Sequence, residues 1–276
     1  MNRKNIFFWI LLLVGISLIM YPLVGQYLSY RAEHDNINEY SKEISKLDST
    51  DISNRITLAE AYNYSLYNNK ANDISDPFTS KEILKGKETY ANMLEVHEQL
   101  GYIIIPKIKQ QIPIYAGTSD DVLQKGIGHL EGTSLPVGGK NTHTVLTGHR
   151  GLPTAELFTH LDKLEIGDKF YIRNIKEIIA YQVDKVSVVE PSDVSQLKII
   201  NNEDYATLLT CTPYMINSHR LLVRGHRVPY TKKDNKAIRE QKNNKYNLFL
   251  IIILVMVIVV VFKKLILREN YGKSRK

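Results

Sequence analysis

The sequence predicts a mainly β domain with short helices, preceded by a helical extension and carried between two membrane-spanning helices. Three observations predict it. Two long apolar segments near the ends of the chain contain no charged residue. From Gly101 onward the texture is one of short β-branched runs separated by glycine and proline, which fits a barrel or sandwich of short strands. Between the first apolar segment and that region, residues 27–72 are polar with apolar residues at helical spacing.

The first apolar segment, Ile6 to Val24, is 19 residues long and follows Arg3-Lys4. The second, Leu248 to Phe262, has 15 residues and extends to Leu267 if Lys263 and Lys264 snorkel. About 20 apolar residues cross a bilayer, so a span is expected in each. A buried core helix is the alternative for either, and a cleaved signal peptide for the first. Tyr21-Pro22-Leu23-Val24-Gly25-Gln26 makes a poor cleavage site, however. An uncleaved anchor is therefore expected over residues 1–26 and a second span over 248–267.

The net charge of +7 does not point to nucleic acid, because of where it lies. Residues 229–247 and 263–276 each hold six Lys/Arg, against two acids and one acid respectively. The body between the apolar segments is mildly acidic. Basic residues beside apolar segments are a membrane pattern. Arg3-Lys4 and the basic stretch Lys263 to Lys276, which ends in the tail 268–276, favour cytoplasmic termini. The basic linker 231–247 then lies outside, which a loop of more than 200 residues permits, since long loops translocate largely regardless of charge. The body is expected to be extracytoplasmic.

In the extension, 27–97, Glu33, Ile37, Tyr40, Ile44 and Leu47 suggest one amphipathic helix, and Ile56, Leu58, Ala61 and Tyr62 a second. They are broken near Asp48-Ser49-Thr50-Asp51. A loop at about 73–80 carries Asp76-Pro77-Phe78. In the β domain, 98–230, strands are expected at Tyr102–Ile105, Ile112–Tyr115, Thr144–Thr147, Lys169–Arg173, Ile178–Val189, Ala206–Thr210 and Leu221–Val223. Two short helices interrupt them, Ser119–Lys125 with Ser119 as a cap and Pro153–Leu164 with three leucines on one face.

Cys211 is the only cysteine. In an exported protein an unpaired thiol suggests a reactive group or an intermolecular bond, although a free cysteine is often just a small buried hydrophobe. It ends an apolar run that Pro213 stops. A reactive thiol needs a base or cation nearby. Of eight histidines, His149 stands out, because it follows the strand ending at Thr147 through Gly148 and precedes Arg150-Gly151. Arg220 and Arg224, four apart, would share one face of an unbroken strand. Either could steady an oxyanion or simply form a surface ion pair. One cysteine and no His-x-x-x-His spacing leave no zinc pattern, and Asp120-Asp121 reads as a helix N-terminus.

Thr207-Leu208-Leu209-Thr210-Cys211, with Arg220 nine residues on, resembles the sortase signature. Thr147-Gly148-His149-Arg150-Gly151 looks like the sortase histidine motif. The stretches Cys211 to Gly225 and Gly128 to Gly139 are similar to the pilus-assembling class C sortases of Gram-positive bacteria, and Asp76-Pro77-Phe78 matches that class's lid motif.

The resemblance implies an eight-stranded sortase β-barrel and a cysteine transpeptidase with no cofactor. Cys211 would attack the threonine carbonyl of a Leu-Pro-x-Thr-Gly-like sorting signal, with His149 as general acid and base and Arg220 on the oxyanion or substrate. Leu209 and Thr210 would contact substrate. The implied partners are pilin subunits, one offering a lysine amine, and the enzyme would be a monomer. The lid would set Phe78 against the thiol and Asp76 near a cation. Two rivals remain at the level of sequence: a cysteine endopeptidase that lets water resolve the acyl-enzyme, and a membrane-anchored module that binds pilins without chemistry.

Overall fold

The computed structural model describes residues 3–68, 74 and 93–240. The expected β runs form β1 (Gln99–Ile105), β2 (Gln110–Ala116), β4 (Thr142–Thr147), β5 (Lys169–Arg173), β6 (Ile178–Val189), β7 (Asp204–Thr212) and β8 (His219–Val228). An eighth, β3 (Ile127–His129), was not expected; its three residues are strand only because β2 flanks them in parallel and β4 antiparallel. The strands close into a barrel in the order β1-β2-β3-β4-β7-β8-β6-β5. Closure resolves the choice between barrel and sandwich, and it leaves no unpaired edge. The chain falls into two compact units, Met1–Asp234 and Asn235–Lys276, and all strands belong to the first.

Alternation sets the core. Ile103 and Ile105, Ile112 and Ile114, Ala206 and Leu208, Leu221 and Val223 all enter the same interior cluster, where Phe170 stacks on Tyr181 with centroids 5.6 Å apart. Burying each of these isoleucine, leucine, valine and phenylalanine side chains is worth about 1.5–3 kcal/mol.

Helix α1 (Arg3–Ile44) and helix α2 (Ser49–Asn68) break where the sequence suggests, and Asp48 accepts the Thr50 N–H at 3.1 Å. The α1 face carrying Ile37, Tyr40 and Ile44 is buried as expected. On α2 the expected face is corrected. Leu58 is 56% exposed and Ala61 also faces outward, whereas Ile56, Ala59 and Asn63 are buried. Asn63 decides the rotation, because its amide accepts from the Leu135 N–H at 2.7 Å and donates to the Leu135 carbonyl at 3.1 Å. The first apolar segment forms the N-terminal part of α1. Among the described residues no helix is long and apolar enough to cross a membrane. The second apolar segment, the tail and Asp76-Pro77-Phe78 lie outside the described residues.

Ser119 precedes helix α3 (Asp120–Lys125), although its hydroxyl makes no capping bond. The expected helix Pro153–Leu164 does not form. Only Leu161–Lys163 makes a 3-10 turn, and Leu157 sits at φ +37°. The Phe158 N–H donates to the His149 carbonyl at 3.1 Å rather than back along a helix, so the segment folds onto the end of β4. Leu157, Leu161 and Leu164 are buried all the same.

The basic segment expected as a linker begins as helix α4 (Lys232–Glu240). Asp234 near its start is buried, and its carboxylate accepts from the Thr231 N–H and hydroxyl, from Lys169 Nζ at 3.0 Å and from the Tyr171 hydroxyl at 2.8 Å. Burial alone would raise its pKa, but these bonds outweigh it and hold the carboxyl at about 2. Its contribution to stability is full above the unfolded carboxylate pKa of about 3.9 and is lost as pH falls towards 2. Asp234→Ala strands the Lys169 ammonium and Tyr171 hydroxyl, and should cost about 2–4 kcal/mol in urea unfolding at pH 7.

Candidate active site

Three strand ends build the site. On β7 and β8 the residues facing the core are Ala206, Leu208, Leu221 and Val223. Thr207, Leu209 and Cys211, like Arg220, Leu222 and Arg224, therefore share the outer face. Cys211 and Arg220 are directly opposed in the antiparallel register, which puts their Cα atoms about 4.5–5.5 Å apart. Leu209 and Leu222 join Leu130, Val145, Val189 and Leu197 in an apolar cluster on that face, and Ile74 is buried in it as well. The result is an apolar floor that ends at a thiol.

Neither side chain is open to bulk water. Cys211 is 6% exposed and Arg220 5%. Arg220 Nη1 donates to the carbonyls of Asn217 and His219, at 3.1 Å each. The spacing argument puts Arg224 on the same face, but its guanidinium is engaged. It forms a two-pronged pair with Asp184 at 3.0 and 2.9 Å, and lies 4.2 Å from the ring centroid of Tyr205.

His149 arrives from β4, which runs parallel to β7 with Thr147 opposite Leu209. The Gly148 N–H donates to the Leu209 carbonyl at 3.1 Å, and the Thr210 hydroxyl donates to the Gly148 carbonyl at 2.7 Å. His149 is thus one residue beyond Gly148 and Cys211 one beyond Thr210, with the two preceding residues bonded together. Gly148 has to be glycine here, since a Cβ would lie 2.5 Å from Ile127 Cδ1 and 2.9 Å from the Phe158 ring. His149 is half-buried. Burial lowers its pKa, and the Asp120 carboxylate partly offsets the shift, which favours a neutral imidazole able to accept and return a proton. Asp120 reads from sequence only as a helix start; its proximity to His149 comes from tertiary folding.

Arg150 is a second feature that spacing did not single out. Its guanidinium donates to the Thr159 carbonyl at 3.2 Å and the Thr212 hydroxyl at 3.1 Å, and pairs with Asp162 at 2.8 Å. It ties the loop after His149 to the residue after Cys211. Thr210, expected as a substrate contact, directs its hydroxyl to Gly148, while Leu209 faces the apolar floor. Thr210→Val should leave the buried Gly148 carbonyl without its partner, cost about 1–3 kcal/mol and lower kcat through a looser His149. Thermal melting and turnover would check this together.

The other histidines do different work. His129 and His143 are fully buried. His129 Nε2 bonds to the Ser134 carbonyl at 2.9 Å, and His143 contacts the Lys198 carbonyl at 2.9 Å and the Thr207 hydroxyl at 2.7 Å. His219 pairs with Glu190 at 3.1 Å.

Residues 103–228 match the sortase domain. Sortase D of Bacillus subtilis is 29% identical over 186 residues, covering 66% of this chain and 88% of that protein. Among solved structures, sortase C1 of Streptococcus agalactiae is 55% identical, covering 72% of this chain and 99% of that one, with a TM-score of 0.67. Sortase C of Streptococcus pneumoniae is 57% identical, covering 71% and 98%, with a TM-score of 0.65. A further neighbour at 56% identity is a pilus-related sortase C of Group B Streptococcus. Matched along nearly the whole of those structures, with a barrel that brings the histidine, cysteine and arginine motifs to one rim, the chain belongs to the sortase family of cysteine transpeptidases, among its class C members.

Proposed function

We propose that the protein is a membrane-anchored transpeptidase that joins pilin subunits, with Cys211, His149 and Arg220 as its catalytic residues. The observation that carries the reading is the direct opposition of Cys211 and Arg220 across β7 and β8, with His149 held one residue beyond the Gly148–Thr210 bond. Cys211 Sγ attacks the threonine carbonyl of a Leu-Pro-x-Thr-Gly-like signal. The S–C bond forms, the C–N bond to glycine breaks, and the thiol proton reaches the departing amine through His149. A pilin lysine amine then attacks the thioester. An isopeptide C–N bond forms, the C–S bond breaks, and the amine's proton returns through His149 to the sulfur. Arg220 steadies the oxyanion in both halves. The apolar floor from Leu209 to Leu222 suits the leucine and proline of such a signal.

Residues 98–230 form the catalytic domain in this reading, and 27–97 the extension with its lid. Burial of Ile74 in the floor, two residues before Asp76, supports a lid of Asp76, Pro77 and Phe78 over the site. Ile6–Val24 and 248–267 anchor the chain, with both termini cytoplasmic and the barrel outside.

The test incubates the protein with a Leu-Pro-x-Thr-Gly peptide and a lysine-bearing acceptor, followed by mass spectrometry. A thioester at position 211 and an isopeptide product are expected. An adduct that yields only hydrolysed peptide would instead favour the endopeptidase.

A further inference from the structure

We propose that the β7–β8 turn, through Tyr214, Met215 and Ile216, docks onto the phospholipid surface of the membrane that anchors the chain. The inference rests on the reading of Ile6–Val24 as a span.

The turn is unusual for a turn in water. Tyr214, Met215 and Ile216 are 50%, 68% and 72% exposed, and three consecutive exposed apolar residues at a loop tip demand a reason. The tip is not slack chain. The N–H groups of Ile216 and Asn217 both donate to the Pro213 carbonyl, at 3.1 and 3.0 Å, and Arg220 holds the Asn217 carbonyl. Met215 is held at φ +66°, a conformation that glycine or asparagine would adopt more cheaply. The fold keeps an apolar tip where a polar one would be easier.

Helix α1 says what lies beside it. Asn36 and Tyr40 grip the ends of β1 and β2, through the Tyr115 hydroxyl at 3.2 Å and the Leu100 carbonyl at 3.4 Å. Ten or more residues earlier, the helix meets the loop beyond His149. A Cβ at Gly25 would lie 2.8 Å from Thr154 Cγ2, and Gln26 Nε2 donates to the Pro153 carbonyl at 3.4 Å. The helix therefore climbs the barrel wall towards the rim that carries Cys211. Residues 3–24 continue α1 beyond that contact for about 33 Å at 1.5 Å per residue, and the proposed span Ile6–Val24 lies within them.

The two features touch the same loop. A Cβ at Gly151 would lie 3.1 Å from the Tyr214 ring and 3.4 Å from Met215 Sδ. Gly151 is three residues from Thr154, a reach of at most about 11 Å. The apolar tip thus sits beside the point where α1 leaves its uncharged stretch. Tyr21, Tyr27 and Tyr30 lie around that point, and the first charge after Lys4 is Arg31, the pattern of an interfacial aromatic belt. Beside the tip, Arg150 is paired with Asp162, and His219 Nε2 lies 3.1 Å from the Glu190 carboxylate. With the tip in the headgroup layer, Cys211 would work at the height of membrane-retained substrates.

The test uses the full chain in proteoliposomes, with Cys211→Ala and a single new cysteine, Ile216→Cys, carrying an environment-sensitive fluorophore. Glu203→Cys in the same background, exposed at the start of β7 on the opposite rim, is the reference. Flotation first establishes that the protein stays with the vesicles. Nitroxides on lipid headgroups should then quench the probe at 216 about twofold or more over that at 203, as expected of a segment lying in the interface. Flotation with equal quenching at both sites overturns the docking while leaving the span intact. If instead the 216 probe ignores the nitroxides and shifts to the blue only when sorting-signal peptide is added, the tip is a protein-binding surface and the proposal fails. A chain that does not float removes the span and the proposal with it.

Discussion

Cys211→Ala should eliminate both the thioester and the isopeptide product, a loss of about 10⁴-fold or more in kcat/KM, as expected when a nucleophile is removed. Cys211 is the only thiol in the chain, and the groups around it are already committed, with Thr210 bonded to Gly148 and Thr212 to Arg150. His149→Ala should fall nearly as far, because in the proposed reaction it carries the proton in both half-reactions. Arg220→Ala should lower kcat by about 10²–10³-fold, the usual cost of losing one oxyanion donor. Arg220→Lys should recover little of this. A lysine keeps the charge but lacks the planar guanidinium whose Nη1 holds the Asn217 and His219 carbonyls. Melting curves for the Cys211 and His149 variants close to that of the parent would show that the loss is chemical. Residual transfer by Cys211→Ala above the uncatalysed rate would sink the assignment of the nucleophile.

The largest effect on stability should come from mild acid, through two histidines outside the catalytic set. Burial in the fold pushes His129 and His143 down to about 4 from the usual 6.5, despite a backbone bond that raises each. Both are neutral in the folded and unfolded chain above pH 6.5, so the stability they permit is fully present there. As pH falls towards 4 the unfolded chain takes up protons that the folded chain cannot accept. Each site then costs about 3 kcal/mol. Urea midpoints should fall steeply between pH 6.5 and 4, and His143→Gln should make the slope shallower even if it lowers stability at pH 7. A midpoint that stays flat across that range would contradict the burial of these rings. The Asp234 effect is separable, since it acts only below about pH 4.

Seven of the eight strands were legible because each carries its own apolar or alternating run, and Pro213 marks where β7 must stop. Ile127–His129 was not, since three residues are too few to show a period and only their neighbours make them a strand. The leucines at 157, 161 and 164 carried a helical spacing that was real as burial but false as helix. One backbone bond from Phe158 to His149 outweighed local propensity. On α2, the same kind of spacing picked out Leu58 and Ala61, while the long-range clamp of Asn63 on Leu135 turned the helix otherwise.

What the sequence determined by itself was the inventory: a single thiol, a histidine after a strand, an arginine entering the next strand, and apolar segments with basic flanks. These follow from residue type and short-range order. Only the tertiary structure decided which of them meet. Cys211 faces Arg220 because of the β7–β8 register, and a slip of one residue would have turned the thiol into the core. His149 stands beside them because β4, more than 60 positions away from β7, bonds to it through Gly148. The Asp120 carboxylate comes close enough to act on the imidazole electrostatically, and α1 meets the loop beyond it, by packing between segments that no local pattern relates.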